Sequence, residues 1–112
     1  MLSKKNRLGT KFFKDVFKRG KISPSSSFLL KITSTSLEKP VFSFVVSSKT
    51  AKKAVDRNKL KRRASYIIRK MIPEFKKQNF GAIFIFNTNA LKIGFQALKD
   101  EIEKSMKKLG VL

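Results

Sequence analysis

Ten Lys and Arg side chains fall within residues 49–70 against one acid, Asp56. Side chains of this type bind anions, phosphate above all. The same stretch keeps an apolar stripe: Leu60, Ala64, Ile67, Ile68 and Met71 recur at i, i+4, i+7, i+8 and i+11, the pattern of a helix that lays one side on a core. Asn58, Arg62, Ser65 and Arg69 form the opposite ridge, with Lys59 and Lys61 on its flanks. A helix holds its charge in fixed geometry. The polymer that rewards such an array is a phosphodiester backbone, because each neutralised phosphate releases condensed counterions. RNA is the expected partner, and the competing reading is a solvated basic face. Arg57 projects toward the apolar side, about 60° from Leu60 in a regular helix. Either its guanidinium snorkels to the helix edge or an irregular first turn aims it elsewhere.

Other reactive groups are scarce. The chain has no Cys and no His, which removes disulfides, Cys or His zinc sites, and Ser-His or Cys-His nucleophiles. Its acids are Asp15, Glu38, Asp56, Glu74, Asp100, Glu101 and Glu103, and only the last three cluster. A metal nuclease needs convergent carboxylates, whereas these three read as first-turn residues of a final helix, complementing its dipole. We therefore expect a chemically inert polypeptide with no catalytic residue and no metal ligand of its own. The longest apolar run, Gly81 to Phe86, is far short of the ~20 residues of a membrane span. Nothing near the N-terminus has the pattern of a signal peptide. A soluble, cytoplasmic protein without membrane contact is expected.

The elements that must position the basic helix can be read on either side of it. A length of 112 residues fits a single domain, 1–112. A formal net charge of +20 calls for an anionic partner, while 41% apolar residues with eleven Phe can build a core. After a basic arm of Lys4, Lys5 and Arg7, Thr10 can cap a short helix carrying Phe12, Phe13, Val16 and Phe17, which Gly20 ends. Lys21 to Ser23 has room for a short strand, and Ser23 to Ser27 is a turn. Phe28 to Ser34 and Val41 to Ser48 read as an antiparallel pair around a turn at Glu38 to Pro40. The basic helix begins between Thr50 and Val55 and ends before Pro73, with a helical piece over Pro73 to Gln78. Ala82 to Phe86 is a buried strand. Leu98, Ile102, Met106 and Leu109 mark a last helix, with Gly110 just past its end. This α-β-β-β-α-β-α order gives an α+β fold, a small mixed sheet of about four strands with helices packed on it.

Arg57-Asn58-Lys59, with Lys61-Arg62 following, on a helix behind two strands and a Phe13-x-x-x-Phe17 helix, resembles the bacterial ribonuclease P protein family. Its hallmark is Arg-Asn-Arg followed by Lys-Arg, so Lys59 departs by losing a planar bidentate fork. Arg7-Leu8 and Lys18-Arg19-Gly20 match in register. Lys31 stands where many members have Tyr, and Phe44 and Val46 where small or hydroxyl residues are usual. Beyond Ala82 the agreement is one of hydrophobic pattern and order.

The resemblance implies a left-handed βαβ crossover containing the basic helix, against the usual hand. It implies that Arg57, Asn58, Lys59, Lys61 and Arg62 contact a catalytic RNA subunit. A cleft with Phe13, Phe17, Phe28, Lys31, Lys49, Lys52 and Lys53 would hold the single-stranded 5′ leader of precursor tRNA. The protein would be one component of an endoribonuclease whose hydrolytic chemistry resides in the RNA, pairing mainly one-to-one with it. Magnesium would act through the RNA subunit and substrate, with no protein ligands. From the residues alone, Phe13 and Phe17 also fit a core, and Lys49, Lys52 and Lys53 a soluble strand edge. The rival function is a basic ribosomal RNA-binding protein without a catalytic role.

Overall fold

The structure, a computed structural model, describes Leu2 and residues 4–112, except for the side chains of Thr10 and Lys11. Its organising element is the strand Phe80–Phe86, seven residues without one polar side chain. An apolar run of this kind is what a strand covered on both faces requires. Numbered in chain order, the elements are α1 (Thr10–Arg19), β1 (Lys21–Pro24), β2 (Phe28–Ser34), β3 (Val41–Val45), α2 (Ala54–Met71), β4 (Phe80–Phe86), α3 (Asn89–Lys92) and α4 (Phe95–Lys108), with 3-10 turns at Lys4–Asn6 and Ile72–Glu74. The mixed α+β class and four strands agree with the sequence.

Strand pairing does not follow the expected hairpin. The sheet order is β1-β2-β4-β3, so β2 and β3 are not partners. β4 lies between them, antiparallel to β2 (Phe28↔Phe86, Lys31↔Ile83) and parallel to β3 (Val41↔Gly81, Val45↔Ile85). The reason is polarity. β2 carries the polar side chains Lys31, Thr33 and Ser34 and β3 carries Ser43, whereas β4 carries none. A parallel β3–β4 pair needs a long crossover, which α2 provides.

The faces differ in cover. Phe28, Leu30, Ile32, Phe42, Ala82, Phe84 and Phe86 join the α2 stripe and Leu98, Ile102 and Met106 of α4 in one buried cluster. Phe28 meets Phe84 edge-on with ring centroids 5.3 Å apart. Across the sheet, α1 lies over the start of β4, where a Cβ at Gly81 would come within 2.9 Å of Val16 Cγ2. Gly81 therefore lets the helix approach the backbone.

Three further expectations need correction. Helix α1 has Gly9, not Thr10, at its N-cap, and the Thr10 side chain lies outside the described residues. The piece after Pro73 is one 3-10 turn, because the Gln78 amide donates to the carbonyls of Ile72 and Phe75 at 3.2 and 3.1 Å and closes the chain there. Asp100, Glu101 and Glu103 are not first-turn residues, since α4 starts a turn earlier, behind Gly94. Glu101 instead accepts hydrogen bonds from the Ser25, Ser26 and Ser27 hydroxyls and the Ser27 N–H, clamping the β1–β2 turn onto α4. The end of α4 is as expected: Gly110 has φ +82°, with Val111 N–H donating to Met106 O at 3.1 Å and Gly110 N–H to Lys107 O at 3.0 Å.

Partial burial raises the Glu101 pKa, but the bonds from Ser25, Ser27 and Ser26 outweigh it and hold the carboxyl below its ordinary 4.5. A carboxylate depressed in the folded state stabilises above its unfolded pKa, and that contribution vanishes as pH falls through the folded value. Glu101→Gln should cost about 1–2 kcal/mol at neutral pH. The cost should shrink below pH 4.5. Urea melts of both proteins across acid pH check this, and a pH-independent difference would contradict it.

Candidate nucleic-acid interface

The exposed side of α2 carries the array expected from the sequence. Leu60, Ala64, Ile67, Ile68 and Met71 are buried, while Asn58, Lys59, Arg62 and Arg69 are exposed and Lys61 is half-buried. Asp56 in the first turn and Arg69 and Lys70 in the last suit the helix dipole. Ser65 departs from the expected ridge: only 3% exposed, it lines a cavity of about 220 Å³ with Leu2, Arg7, Phe42 and Lys61. Five residues on from Leu60, it sits at the helix flank, where the N-terminal segment packs beside it.

Arg57 fits neither alternative as stated: the first turn is regular, with Arg57 N–H donating to Lys53 O at 3.2 Å. Its guanidinium turns back, and Nη1 donates to Ala51 O at 2.7 Å and Lys52 O at 3.0 Å. Arg57 thus fastens the loop between β3 and α2. Within that loop Thr50 and Ala51 N–H both donate to Ser47 O at 3.1 Å, and the Thr50 and Ser47 hydroxyls are 3.1 Å apart. Lys49, Lys52 and Lys53 stand exposed on a folded segment.

The second surface is the uncovered part of the sheet. Phe13 and Phe17 stack with centroids 6.1 Å apart and planes 19° from parallel, and Phe17 is 46% exposed. Lys31 Nζ lies 3.7 Å from the Phe17 ring centroid and donates to Phe17 O at 3.1 Å. Strand register continues the surface. Ile22 is opposite Lys31, and Leu29, Ile85 and Val45 form the next row toward the end of β3, where the lysine loop begins. These four residues are half-buried or exposed.

Phe28 does not belong to this cleft. It is 1% exposed and packs against Phe84 and Phe86 in the core. Residues three apart on a strand point to opposite faces, so Phe28 and Lys31 cannot line one surface. The strand residue sharing the Lys31 face is Leu29, which period-two counting from Lys31 would have found together with the alternating Ile83 and Ile85.

Charge compensation is minimal. Among the described residues one ion pair forms, Arg19 to Asp15 at 3.2 Å. No three acidic side chains among them converge as a metal site would require, and no described helix is long and apolar enough to cross a membrane.

The family model described as Ribonuclease P matches residues 2–110. The RNase P protein of Staphylococcus aureus shares 19% identity and a TM-score of 0.84, over 95% of this chain and 96% of that one. The RNase P protein of Thermotoga maritima shares 24% identity and a TM-score of 0.80, over 91% and 96%. A Staphylococcus aureus RNase P protein mutant, described as defective in mRNA degradation activity, gives 19% identity and a TM-score of 0.85, over 96% and 90%. A search of curated proteins yields no match. At these identities the structural likenesses establish the fold.

The Arg57 bonds make a distinct demand. Arg57→Ala should cost about 1.5–3 kcal/mol, the range for hydrogen bonds to a charged group, and should speed amide exchange at Thr50 and Ala51. Arg57→Lys, which has no planar fork, should recover only part of the protection. Unchanged exchange in that loop would mean that Arg57 does not hold it.

Proposed function

We propose that this chain, which belongs to the ribonuclease P protein family, docks on the enzyme's catalytic RNA through the exposed side of α2 and holds the 5′ leader of precursor tRNA on the open sheet face. The observation that carries this reading is the presence of two unlike surfaces on one rigid frame, a cationic helix and a half-apolar cleft with an exposed aromatic ring. Lys59, Lys61 and Arg62 supply charge for the RNA subunit, Asn58 a directional amide, and Arg57 the positioning of the adjoining lysine loop.

In the cleft, the Phe17 ring offers a face to an unpaired base, while Lys31, already over that ring, meets the phosphate beside it. Such stacking is worth about 1–3 kcal/mol per base. Leu29, Ile85 and Val45 give the strand an apolar floor, and Lys49, Lys52 and Lys53 follow its backbone. These contacts are indifferent to base identity, as a cofactor that handles many leaders requires.

The reaction is hydrolysis of the phosphodiester that joins the leader to the mature tRNA 5′ end. Its chemistry resides in the RNA, and magnesium is held there and on the substrate. The polypeptide binds, orients and screens. It works as a single domain, one per RNA, in the cytoplasm.

The first test is leader cleavage at low magnesium by the protein, a related bacterial ribonuclease P RNA, and both together. Stimulation only in the mixture is expected; cleavage by protein alone, or no stimulation of a compatible RNA, would overturn the reading. Lys59→Ala with Arg62→Ala should weaken assembly and flatten its salt dependence by roughly 0.7–0.9 log unit per lost phosphate contact. Phe17→Leu should spare assembly and weaken leader-bearing tRNA alone, by up to about 3 kcal/mol. Equal weakening with leaderless tRNA would place Phe17 outside leader binding.

A further inference from the structure

A second aromatic pair lies on the opposite side of the sheet from α1. Tyr66 of α2 and Phe95, the first residue of α4, stand with ring centroids 5.8 Å apart and planes inclined at 59°. They are 51% and 39% exposed. Packing of α2 on α4 is already supplied by residues buried beneath them, Leu98 and Ile102 against the α2 stripe. Two rings held in contact, each with much of its surface in solvent, are therefore not explained by the core.

Their surroundings are cationic. Lys59, Arg63, Tyr66 and Lys70 follow one another at i, i+4, i+7 and i+11, a single row along α2. Lys70 Nζ is 5.5 Å from the Tyr66 ring centroid. One turn back along the row, Lys59 and Arg63 line a cavity of about 190 Å³ with Leu91, where Asp56 is the single acid. The N-terminus of α4 beside Phe95 has no side-chain cap and no acid in its first turn, which leaves its partial positive charge uncompensated.

We infer that the Tyr66–Phe95 pair is a stacking platform for an unpaired base of an RNA strand whose phosphates follow Lys59, Arg63 and Lys70. The inference rests on the RNA-binding reading above. An aromatic face flanked by a run of cations is the arrangement that single-stranded RNA rewards, because every base has a π-face and each nucleotide brings one phosphate. An apolar protein partner would not need the cations, and their mutual repulsion would oppose a second copy of the chain. Because α2 and α4 cover the face opposite the leader cleft, the platform serves a different stretch of RNA, an unpaired nucleotide of the docked RNA subunit.

The chain offers its own reporter, since Tyr66 is its one tyrosine and it has no tryptophan. Full-length protein is titrated with a short single-stranded oligoadenylate and with a ribonuclease P RNA. Binding is followed by anisotropy of the labelled RNA, and stacking by tyrosine emission corrected with free tyrosine amide in the same solutions. Quenching that tracks the bound fraction is expected. Phe95→Ala and Phe95→Leu should weaken the tyrosine-detected binding by roughly 5- to 100-fold. The Leu variant keeps apolar packing, so a loss there at unchanged melting temperature isolates the ring face.

Binding seen by anisotropy with unaltered tyrosine emission would overturn the platform while leaving the proposed function intact. So would emission that changes with protein concentration in the absence of RNA, which would identify a contact between copies. Failure to bind either RNA would overturn both readings.

Discussion

Strand β4 has to be covered on both faces, because neither carries a polar side chain, and the remaining architecture is arranged to meet that demand. It takes the centre of the sheet, with β2 and β3 as antiparallel and parallel neighbours. The parallel partner requires a crossover, so the basic segment becomes a long helix lying on the sheet rather than a tail. With α4 it closes one face. On the other face α1 has ten residues, enough to bury Gly81 and Ile83 but not the row at Ile85. The cleft is thus the part of a two-sided strand that a short helix leaves uncovered, and Gly81 sets how close that helix comes.

The charge imposes a second condition. At +20, with one exposed ion pair among the described residues, the folded chain brings cations together that repel one another. Burial of Phe28, Phe42, Phe80, Phe84 and Phe86 must offset that repulsion, which explains why so basic a chain is rich in phenylalanine. An RNA partner relieves the repulsion as it binds, so assembly and stability should respond to salt in opposite ways. Added salt screens the repulsion within the protein and weakens its hold on RNA.

Much of this was legible in residue order. The apolar stripe of α2, the end of α1 at Gly20 and the stop at Gly110 follow from local periodicity and glycine stereochemistry, and the structure has all three. Pairing was not legible, because β2 and β3 each look like half of a hairpin until the apolar β4 competes for both. The role of Glu101 was equally hidden, since its serine partners lie 74 to 76 residues away. Phe28 entered the expected cleft through a resemblance, where counting alternate residues from Lys31 would have excluded it. The sequence also held Tyr66 and Phe95 without a sign that two helices bring them together.

The Arg57-Asn58-Lys59 run gains sense from what each side chain touches. A guanidinium is needed where several oxygens must be met from one plane, and Arg57 is in that position, with two loop carbonyls on one nitrogen. Lys59 projects from the exposed helix surface, where no carbonyl or carboxylate constrains it, so a point charge can replace a fork without disturbing the fold. The departure from the family's Arg-Asn-Arg pattern therefore falls at the member of the run that works through charge. The member that works through geometry is retained. On the proposed reading, precision in RNA docking would come from the order of the loop that Arg57 fastens, and the lysines would contribute affinity that salt can tune.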